Sequence, residues 1–398
     1  RLEAAIRHAQ QLHPMARARL QPYGAGARTY SWEIPAEPGD LPLQVAGAGG
    51  DEELDALRAG LLGTSVPLQS PPGFRLLLAH HPDGDRLMMN LNHTLADGLS
   101  AFRILTSIVR HYAGDEDPVP DVDPLAARDL KALAGSAGTL ERLERLRLFA
   151  GYLVRSTTPP VRVQARGVEA RDPDDAPGYG VELVPLSAED TTQFMQRRVK
   201  PATVNDMLIA ALVLAIREWN REAGGRMGKV SVMMPVNLRR QDWWFEVVGN
   251  FSSYVNVILD DGQQTRFDAA VQAVSAQTAR MKEAGAAGTL IELLEIPSVL
   301  PAVLKARLRE IAPTLGSSHV QTSWLSNLGR LPESPRMGDA GRVQAIWFSP
   351  PAHMPMGVSV GAVSLEDRLL LALRYRKAVF DATAARDFGE VYRQVLLG

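Results

Sequence analysis

The 398-residue chain contains no cysteine, which excludes disulfides, thiolate metal sites and a cysteine nucleophile. It also lacks a basic run, and its formal net charge of -2 argues against sequence-independent nucleic-acid binding. The longest strongly apolar stretch, residues 208–216, is far shorter than the roughly 20 residues that a membrane-spanning helix needs. We therefore expect a cytoplasmic protein without a transmembrane segment. The chain begins with Arg1 rather than an initiator methionine, so a missing N-terminal piece or signal peptide stays open.

The composition is that of an ordinary globular protein, with 45% hydrophobic and 22% charged residues. Because 398 residues exceed the usual size of a single hydrophobic core, two packed units are expected. The eight histidines show none of the spacings that are typical of zinc sites. No metal is therefore expected.

Helical and strand-like patterns follow one another in a mixed order, which predicts an α+β fold rather than a doubly wound parallel sheet. Helices are predicted at residues 2–12, 99–113, 130–154, from about 203, at 267–282, in broken pieces over 290–311, and at 382–397. Strands are predicted at residues 29–34, 74–80, 86–93, 180–185, 230–234, 251–259, 319–325, 343–348, 357–364 and 368–375.

A stretch rich in Pro, Asp, Gly and Arg, residues 157–180, divides the chain. Such a composition is typical of a linker between packed units. We predict an N-terminal lobe at residues 1–160, a linker at 161–179 and a C-terminal lobe at 180–398.

Residues 92–98 (NHTLADG) are predicted to form the turn between a strand and a helix. His93 would end the second strand of a hairpin on its more apolar side, where a rigid element can present a side chain to a cleft. Unperturbed imidazole titrates near ~6.5, so a histidine can accept and return a proton near neutral pH. A buried structural histidine, bonded to backbone, is the alternative interpretation.

Asp97 and Gly98 strengthen the functional interpretation of His93. Gly98 allows a tight turn into the following helix, and Asp97 places an acid at its first turn. The carboxylate of Asp97 can cap the helix, or it can pair with a distant arginine and so fix the turn that presents His93. Arg239, in residues 234–239 (MPVNLR), is the candidate partner.

The arrangement Asn92-His93-x-x-x-Asp97-Gly98 resembles the His-His-x-x-x-Asp-Gly signature of the condensation-domain and chloramphenicol-acetyltransferase-like superfamily. That group includes peptide-synthetase condensation domains, wax-ester synthases and mycobacterial polyketide-associated acyltransferases. Other segments resemble landmarks of these families, in family order and over nearly the whole chain: residues 12–18 (LHPMARA), 203–206 (TVND), 235–239 (PVNLR), 249–251 (GNF) and 326–329 (SNLG).

The resemblance implies two chloramphenicol-acetyltransferase-like lobes, each a mostly antiparallel or mixed sheet with helices, forming a V-shaped pseudo-dimer around a central tunnel. It implies that His93 is catalytic and that Asp97, Gly98 and Arg239 support it structurally. The further residues expected to line the tunnel or bind substrate are Asn250, Trp324, Ser326 and Asn327.

Two features set limits on the resemblance. Asn92 replaces the first histidine of the signature, and we expect it to support the site rather than transfer protons. The Asp-Phe-Gly-Trp-Gly motif of plant acyltransferases is absent, so that branch is not expected.

Residues 357–361 (GVSVG) match the sequence motif of the nucleophile elbow of serine hydrolases. A predicted strand hairpin follows them instead of a helix, and no histidine comes after Ser359, so a hydrolase is not expected.

We therefore expect an acyltransferase that moves an acyl group from a coenzyme A or carrier-protein thioester to an alcohol, in specialised or lipid metabolism. The acyl-CoA or acyl carrier protein would be a co-substrate, without a permanently bound cofactor, and the protein would be a monomer. Two alternatives stay open: amide formation on an amine acceptor, and a catalytically inactive module that binds carrier proteins as a scaffold.

Overall fold

The structure is a computed structural model that describes most of the chain. The described residues are 1–24, 26–119, 121–129, 132–133, 138–155, 158–168, 178–243, 245–289, 291, 321–331, 335–353 and 356–398.

The first half of the chain contains a short ribbon and a three-stranded sheet. The ribbon pairs β1 (Arg19–Leu20) with β2 (Trp32–Glu33), and the sheet contains β3 (Leu43–Gly47), β4 (Phe74–His80) and β5 (Arg86–Leu91). The order is β3-β4-β5, with β3 parallel and β5 antiparallel to β4. The predicted hairpin of β4 and β5 is confirmed, and β5 leads directly into the NHTLADG segment.

The helices of the first half are α1 (Leu2–Leu12), α2 (Asp51–Gly63) and α3 (Gly98–Ala113). Helix α3 begins at an Asp97 cap and ends at Gly114, whose φ of 87° is the left-handed conformation that glycine adopts without strain. Helix α1 packs on α3 and on β4 through one buried cluster that includes Ile6, Ile104 and Phe74. This packing fixes the start of α3 relative to the sheet.

The second half is built on a six-stranded mixed sheet. Its strands are β6 (Tyr179–Pro185), β7 (Val230–Asn237), β8 (Ser252–Leu259), β9 (Ser323–Arg330), β10 (Val358–Leu365) and β11 (Arg368–Arg376). They lie in the order β6-β11-β10-β9-β7-β8. Strand β9 is parallel to both β7 and β10, and the other pairs are antiparallel.

Helices cover one face of this sheet. The helices after α3 are α4 (Thr139–Arg155), α5 (Ala188–Gln196), α6 (Val204–Glu222), α7 (Phe267–Glu283) and α8 (Ala382–Leu397). Thr203 and Asp206 close a reciprocal capping box at the start of α6, which satisfies backbone N–H groups that the helix cannot pair internally. Most of the side chains of α6 are buried in the core against α7, α8 and the sheet.

Along each strand, successive side chains point alternately to the two faces of the sheet. Leu325, Val360 and Leu373 belong to the helix-covered core, so their neighbours Trp324, Ser359 and Arg374 lie on the opposite face. That opposite face meets side chains of the first half, including Phe102 of α3. Two sheets with helices, joined across this face, confirm the predicted α+β, two-lobed architecture.

Two predicted strands are wrong in extent or in kind. Residues 29–34 form a strand only at Trp32–Glu33. Residues 343–348 form no regular strand, because they cross the face of β10 instead of pairing along an edge, with the carbonyl of Phe348 lying over Gly361.

Two other predicted elements differ from the structure in where they begin or end. The helix expected over 130–154 is described as α4, beginning at Thr139, and the strand expected over 319–325 is described as β9, which continues to Arg330. Residues 292–311, most of the expected helical pieces at 290–311, fall outside the described part of the chain, as does about half of the linker stretch. Of that linker, Val161 donates its N–H to the carbonyl of Lys229, so residues 158–168 follow the C-terminal sheet. The lobe boundaries stay a prediction.

Within the described residues, no helix combines the length and the apolar character needed to cross a membrane.

A buried polar cluster joins α1 to α3. His13 is 5% exposed, and a ring nitrogen lies 2.8 Å from Oγ of Ser107. Arg103 is fully buried and contacts Ser107, Asp117 and, in the second half of the chain, Glu246. Burial, and then the positive charge of Arg103, lower the pKa of His13 from 6.5 to about 3. His13 is therefore neutral in the folded protein at ordinary pH.

This shift predicts a pH dependence of stability. In the unfolded chain the pKa of His13 is near 6.5, so below that pH protons bind the unfolded state preferentially and the free energy of unfolding falls until the pH reaches about 3. Between pH 8 and pH 5, the protonation of His13 in the unfolded chain should lower the free energy of unfolding of the wild type by about 2 kcal/mol. His13→Asn, which can keep the bond to Ser107, should not show this part of the decrease. Urea unfolding at both pH values measures this, and an identical loss in both proteins would contradict it.

Candidate active site

His93 lies in a turn just beyond β5. The strand ends at Leu91, Asn92 still donates its N–H to the carbonyl of Gly73 at 3.0 Å, and residues 93–95 then turn toward α3. The prediction that His93 ends the strand is therefore corrected by two residues. In this position the side chain of His93 is half-buried, so the imidazole is accessible on a backbone that its neighbours hold.

Asn92 stabilises that turn with its side-chain amide. Its Nδ2 donates to the carbonyl of Val66 at 2.7 Å, and its Oδ1 accepts from the N–H of Thr94 at 3.0 Å. Both the oxygen and the nitrogen of the Asn92 amide are thus engaged with backbone. Neither Asn92 nor His93 is in the strand, so strand alternation does not determine which way the side chain of Asn92 points.

Asp97 and Arg239 form a buried, two-pronged ion pair between the halves of the chain. Nη1 of Arg239 donates to Oδ2 of Asp97 at 2.7 Å, and Nη2 donates to Oδ1 at 2.8 Å. The side chains of Asp97 and Arg239 are 6% and 1% exposed, respectively. The carboxylate also accepts from the N–H of Ser100, at the start of α3, and from the N–H of Phe251. The two roles considered for Asp97, helix cap and ion-pair partner, therefore coexist.

Ser100 and Gly249 add a second connection around the same pair. Oγ of Ser100 donates to the carbonyl of Gly249 at 2.8 Å, and lies 2.9 Å from its N–H and 2.6 Å from Nη2 of Arg239. The guanidinium of Arg239 also lies over the ring of Phe251, 4.4 Å from its centroid. The sequence pattern did not identify Ser100, although its place three residues after an N-cap is a signal for it.

Gly98 is required by a close approach rather than by an unusual backbone conformation. A Cβ there would lie 2.8 Å from Cε2 of Phe348 and 3.0 Å from Cδ2 of Leu328. Gly98 is not among the glycines with positive φ, so the expectation of a tight turn gives way to this steric reason. The start of α3 thus packs directly against the C-terminal sheet.

Asn250 positions the backbone of His93. Its Nδ2 donates to the carbonyl of His93 at 2.8 Å, while its Oδ1 accepts from Oγ of Ser252 at 2.8 Å. Expected as a tunnel or substrate residue, Asn250 instead uses its amide to hold the turn from the opposite half of the chain.

The residues expected on β9 separate into two groups. Trp324 lies beside the imidazole, with ring centroids 6.4 Å apart, and Ser326 shares its face of the sheet. Asn327 points to the other face, and its Oδ1 accepts from the N–H of Gly329 at 2.8 Å. The structure therefore brings Trp324 to His93 and does not bring Asn327 there.

Two other observations concern competing sites. Ser359 is 1% exposed on β10 and donates to the carbonyl of Pro350, so it does not occupy a nucleophile elbow. Across the described residues no group of three or more His, Cys, Asp or Glu side chains could hold a metal ion. A cavity lined in part by His13, Arg103 and Glu246 does not include His93 in its lining.

Comparison with known proteins shows what the chain is similar to in sequence and in fold. No protein-family model matches the chain. An uncharacterized protein of Mycobacterium tuberculosis, Rv2305, is 35% identical over 401 residues, covering 100% of this chain and 91% of the relative. A plipastatin synthase polypeptide from Bacillus subtilis is 20% identical over 353 residues, covering 83% of this chain and 9% of that protein.

Solved structures share the fold over the full length of the chain. The first condensation domain of the calcium-dependent antibiotic synthetase, in complex with a substrate analogue, aligns with a TM-score of 0.67, 16% identity, and coverage of 100% of this chain and 88% of that one. The epimerization domain from the third module of tyrocidine synthetase B aligns with a TM-score of 0.65, 17% identity and the same coverage. The chain therefore belongs to the same family as the Mycobacterium tuberculosis protein, and its fold is that of condensation and epimerization domains.

The buried ion pair predicts a large loss of stability on truncation. Arg239→Ala leaves the carboxylate of Asp97 buried without its partner, which should cost about 3–5 kcal/mol, and Asp97→Ala should cost a similar amount. Thermal unfolding followed by circular dichroism measures both.

The adjacent Arg240 is a matched control. The side chains of Arg240 and its ion-pair partner Asp242 are 68% and 60% exposed, so Arg240→Ala should cost no more than about 1 kcal/mol. An unshifted melting curve for both Asp97→Ala and Arg239→Ala would reject the ion pair as a structural constraint.

Proposed function

We propose that the protein is an acyltransferase that moves an acyl group from a coenzyme A or carrier-protein thioester to an alcohol. The observation that carries this proposal is the placement of His93. Its ring is half-buried beside Trp324, its carbonyl is held by Asn250, and its turn is fixed by the pair of Asp97 and Arg239.

In this reaction His93 acts as a general base. It accepts the proton of the acceptor hydroxyl as the oxygen bonds to the thioester carbonyl carbon. The tetrahedral intermediate then collapses with cleavage of the carbon–sulfur bond, and the imidazolium returns the proton to the departing thiolate. The products are an ester and a free thiol, and the imidazole ends in the state in which it began.

The bonds of Asp97 support a positioning role for that residue. Its carboxylate oxygens are occupied by Arg239, Ser100 and Phe251, which is the pattern of a group that holds backbone in place. Asn92 likewise has its amide engaged with Val66 and Thr94. Loss of the first histidine of the signature is therefore compatible with catalysis, because His93 keeps the proton-transfer role.

Amide formation is the second candidate. Condensation domains of peptide synthetases form amide as well as ester bonds, so the likeness of this chain to such domains is also consistent with an amine acceptor. The same base and the same leaving thiol serve both reactions, so acceptor preference distinguishes them. We expect faster thiol release with alcohols than with matched amines.

His93→Ala should lower the rate of thiol release from acyl thioesters by about 10²–10⁴-fold, since a general base of this kind contributes that much. The substitution removes a half-buried side chain that makes no cap or ion pair in the described structure, so the melting temperature should change little. A colorimetric thiol assay over a panel of thioesters and acceptors measures the rate.

His80→Ala is the matched control, because His80 lies exposed at the end of β4, where its ring bonds to Asp85 within the same hairpin. It should keep the wild-type rate. Full activity in folded His93→Ala would defeat the general-base role. Absence of thiol release by the wild type across the whole panel would favour a binding or scaffold role instead.

A further inference from the structure

Arg374 lies on the sheet face that meets the first half of the chain. It pairs in register with Ser359 of β10, which in turn pairs with Trp324 of β9, so these three side chains share one face. Neighbouring strands are about 4.8 Å apart, which places the Cα of Arg374 about 10 Å from that of Trp324. Arg374 therefore belongs to the same interlobe face as the candidate active site.

A six-residue segment connects Arg374 to the signature. Nη2 of Arg374 donates to the carbonyl of Leu62 at 2.7 Å, at the end of α2. Asn90 donates to the carbonyls of Leu61 and Thr64, and Asn92 donates to that of Val66. Residues 61–66 are thus bound on one side by the strand that leads to His93 and on the other by Arg374.

The charge of Arg374 is not balanced by a carboxylate. Its guanidinium and that of Arg376 lie over the ring of Tyr179, at 4.5 Å and 4.6 Å from the centroid. In the described part of the chain the charged groups that act on Arg374 are Tyr179 and Arg376 and include no carboxylate, and Nε of Arg374 is buried without a hydrogen-bond partner. The end of α2 supplies only about half a negative charge, against the full positive charge of Arg374.

Burial reinforces the imbalance. Arg374 is half-buried, and burial followed by the proximity of Arg376 lowers its pKa. A cation removed from water without a counter-charge is costly, and a planar guanidinium with unused N–H donors is suited to a two-pronged bond with phosphate or carboxylate.

We propose that Arg374, with Arg376 and Tyr179 beside it, forms an anion-binding subsite for an oxyanionic group of the acyl-thioester donor. The group is either the phosphate of a phosphopantetheine arm or a carboxylate on the acyl chain. The naming of the donor rests on the proposed acyl transfer, whereas the binding of the anion does not require turnover.

Calorimetric titration with two matched pairs of probes tests the subsite. One pair is 4′-phosphopantetheine and pantetheine, and the other is the succinyl and butyryl thioesters of N-acetylcysteamine. The wild type should bind the anionic member of one pair about tenfold more tightly, as expected for charge-assisted bonds. Preference in the first pair assigns the phosphate, and preference in the second assigns the carboxylate.

Arg374→Gln should abolish that preference. Arg368→Gln is the control on the same strand, since Arg368 bonds to the carbonyl of Gln344 at an exposed position, and it should keep the preference. Arg374→Lys retains a charge near Leu62 but loses the two-pronged geometry, so its preference for the anionic probe should be reduced. This variant replaces Arg374→Gln in the titrations if the glutamine variant does not fold.

Two results would overturn the subsite: equal binding within both pairs by the wild type, or an undiminished preference in folded Arg374→Gln. A failure of acyl transfer is distinguishable from either, because it appears in thiol release and not in these titrations.

Discussion

The bidentate pair of Asp97 and Arg239 is the constraint on which the site depends. Asp97 belongs to the turn that carries His93 and caps α3, whereas Arg239 follows β7 in the other half. Both charges are buried, so neither can leave the other without a large desolvation penalty. The pair therefore fixes both the relative position of the two halves and the position of the imidazole of His93. Ser100, Gly249 and Asn250 extend the same connection with hydrogen bonds.

Much of this arrangement could be predicted from local pattern. The hairpin of β4 and β5 has a turn sequence between alternating runs, α3 has both a cap and a terminal glycine, and α6 has its capping box written in residues 203–206. From the sequence, Arg239 could be named only as a candidate partner of Asp97, because the two positions are 142 residues apart. Periodic patterns in the sequence indicate local helices and strands, but they do not reveal contacts between distant segments of the chain.

The errors have physical causes of the same kind. Helix α2 was missed because only Leu54 among its residues is buried, so it lacks the apolar stripe that predicts a helix. Residues 343–348 have the alternation of a strand but use their apolar side chains to cross β10, where Gly361 gives room for the backbone of Phe348. The true end of β5 and the orientation of Asn327 depend on hydrogen bonds between turns and on strand register, which composition does not encode.

The most direct test of the account is the rate of thiol release by Asp97→Asn, measured at a temperature where circular dichroism shows it folded. The asparagine keeps an oxygen for capping α3 but removes the charge that Arg239 holds, and it leaves His93 unchanged. The rate of thiol release should fall at least about tenfold, because the imidazole of His93 is no longer held in place. A folded Asp97→Asn protein with the full wild-type rate would contradict it.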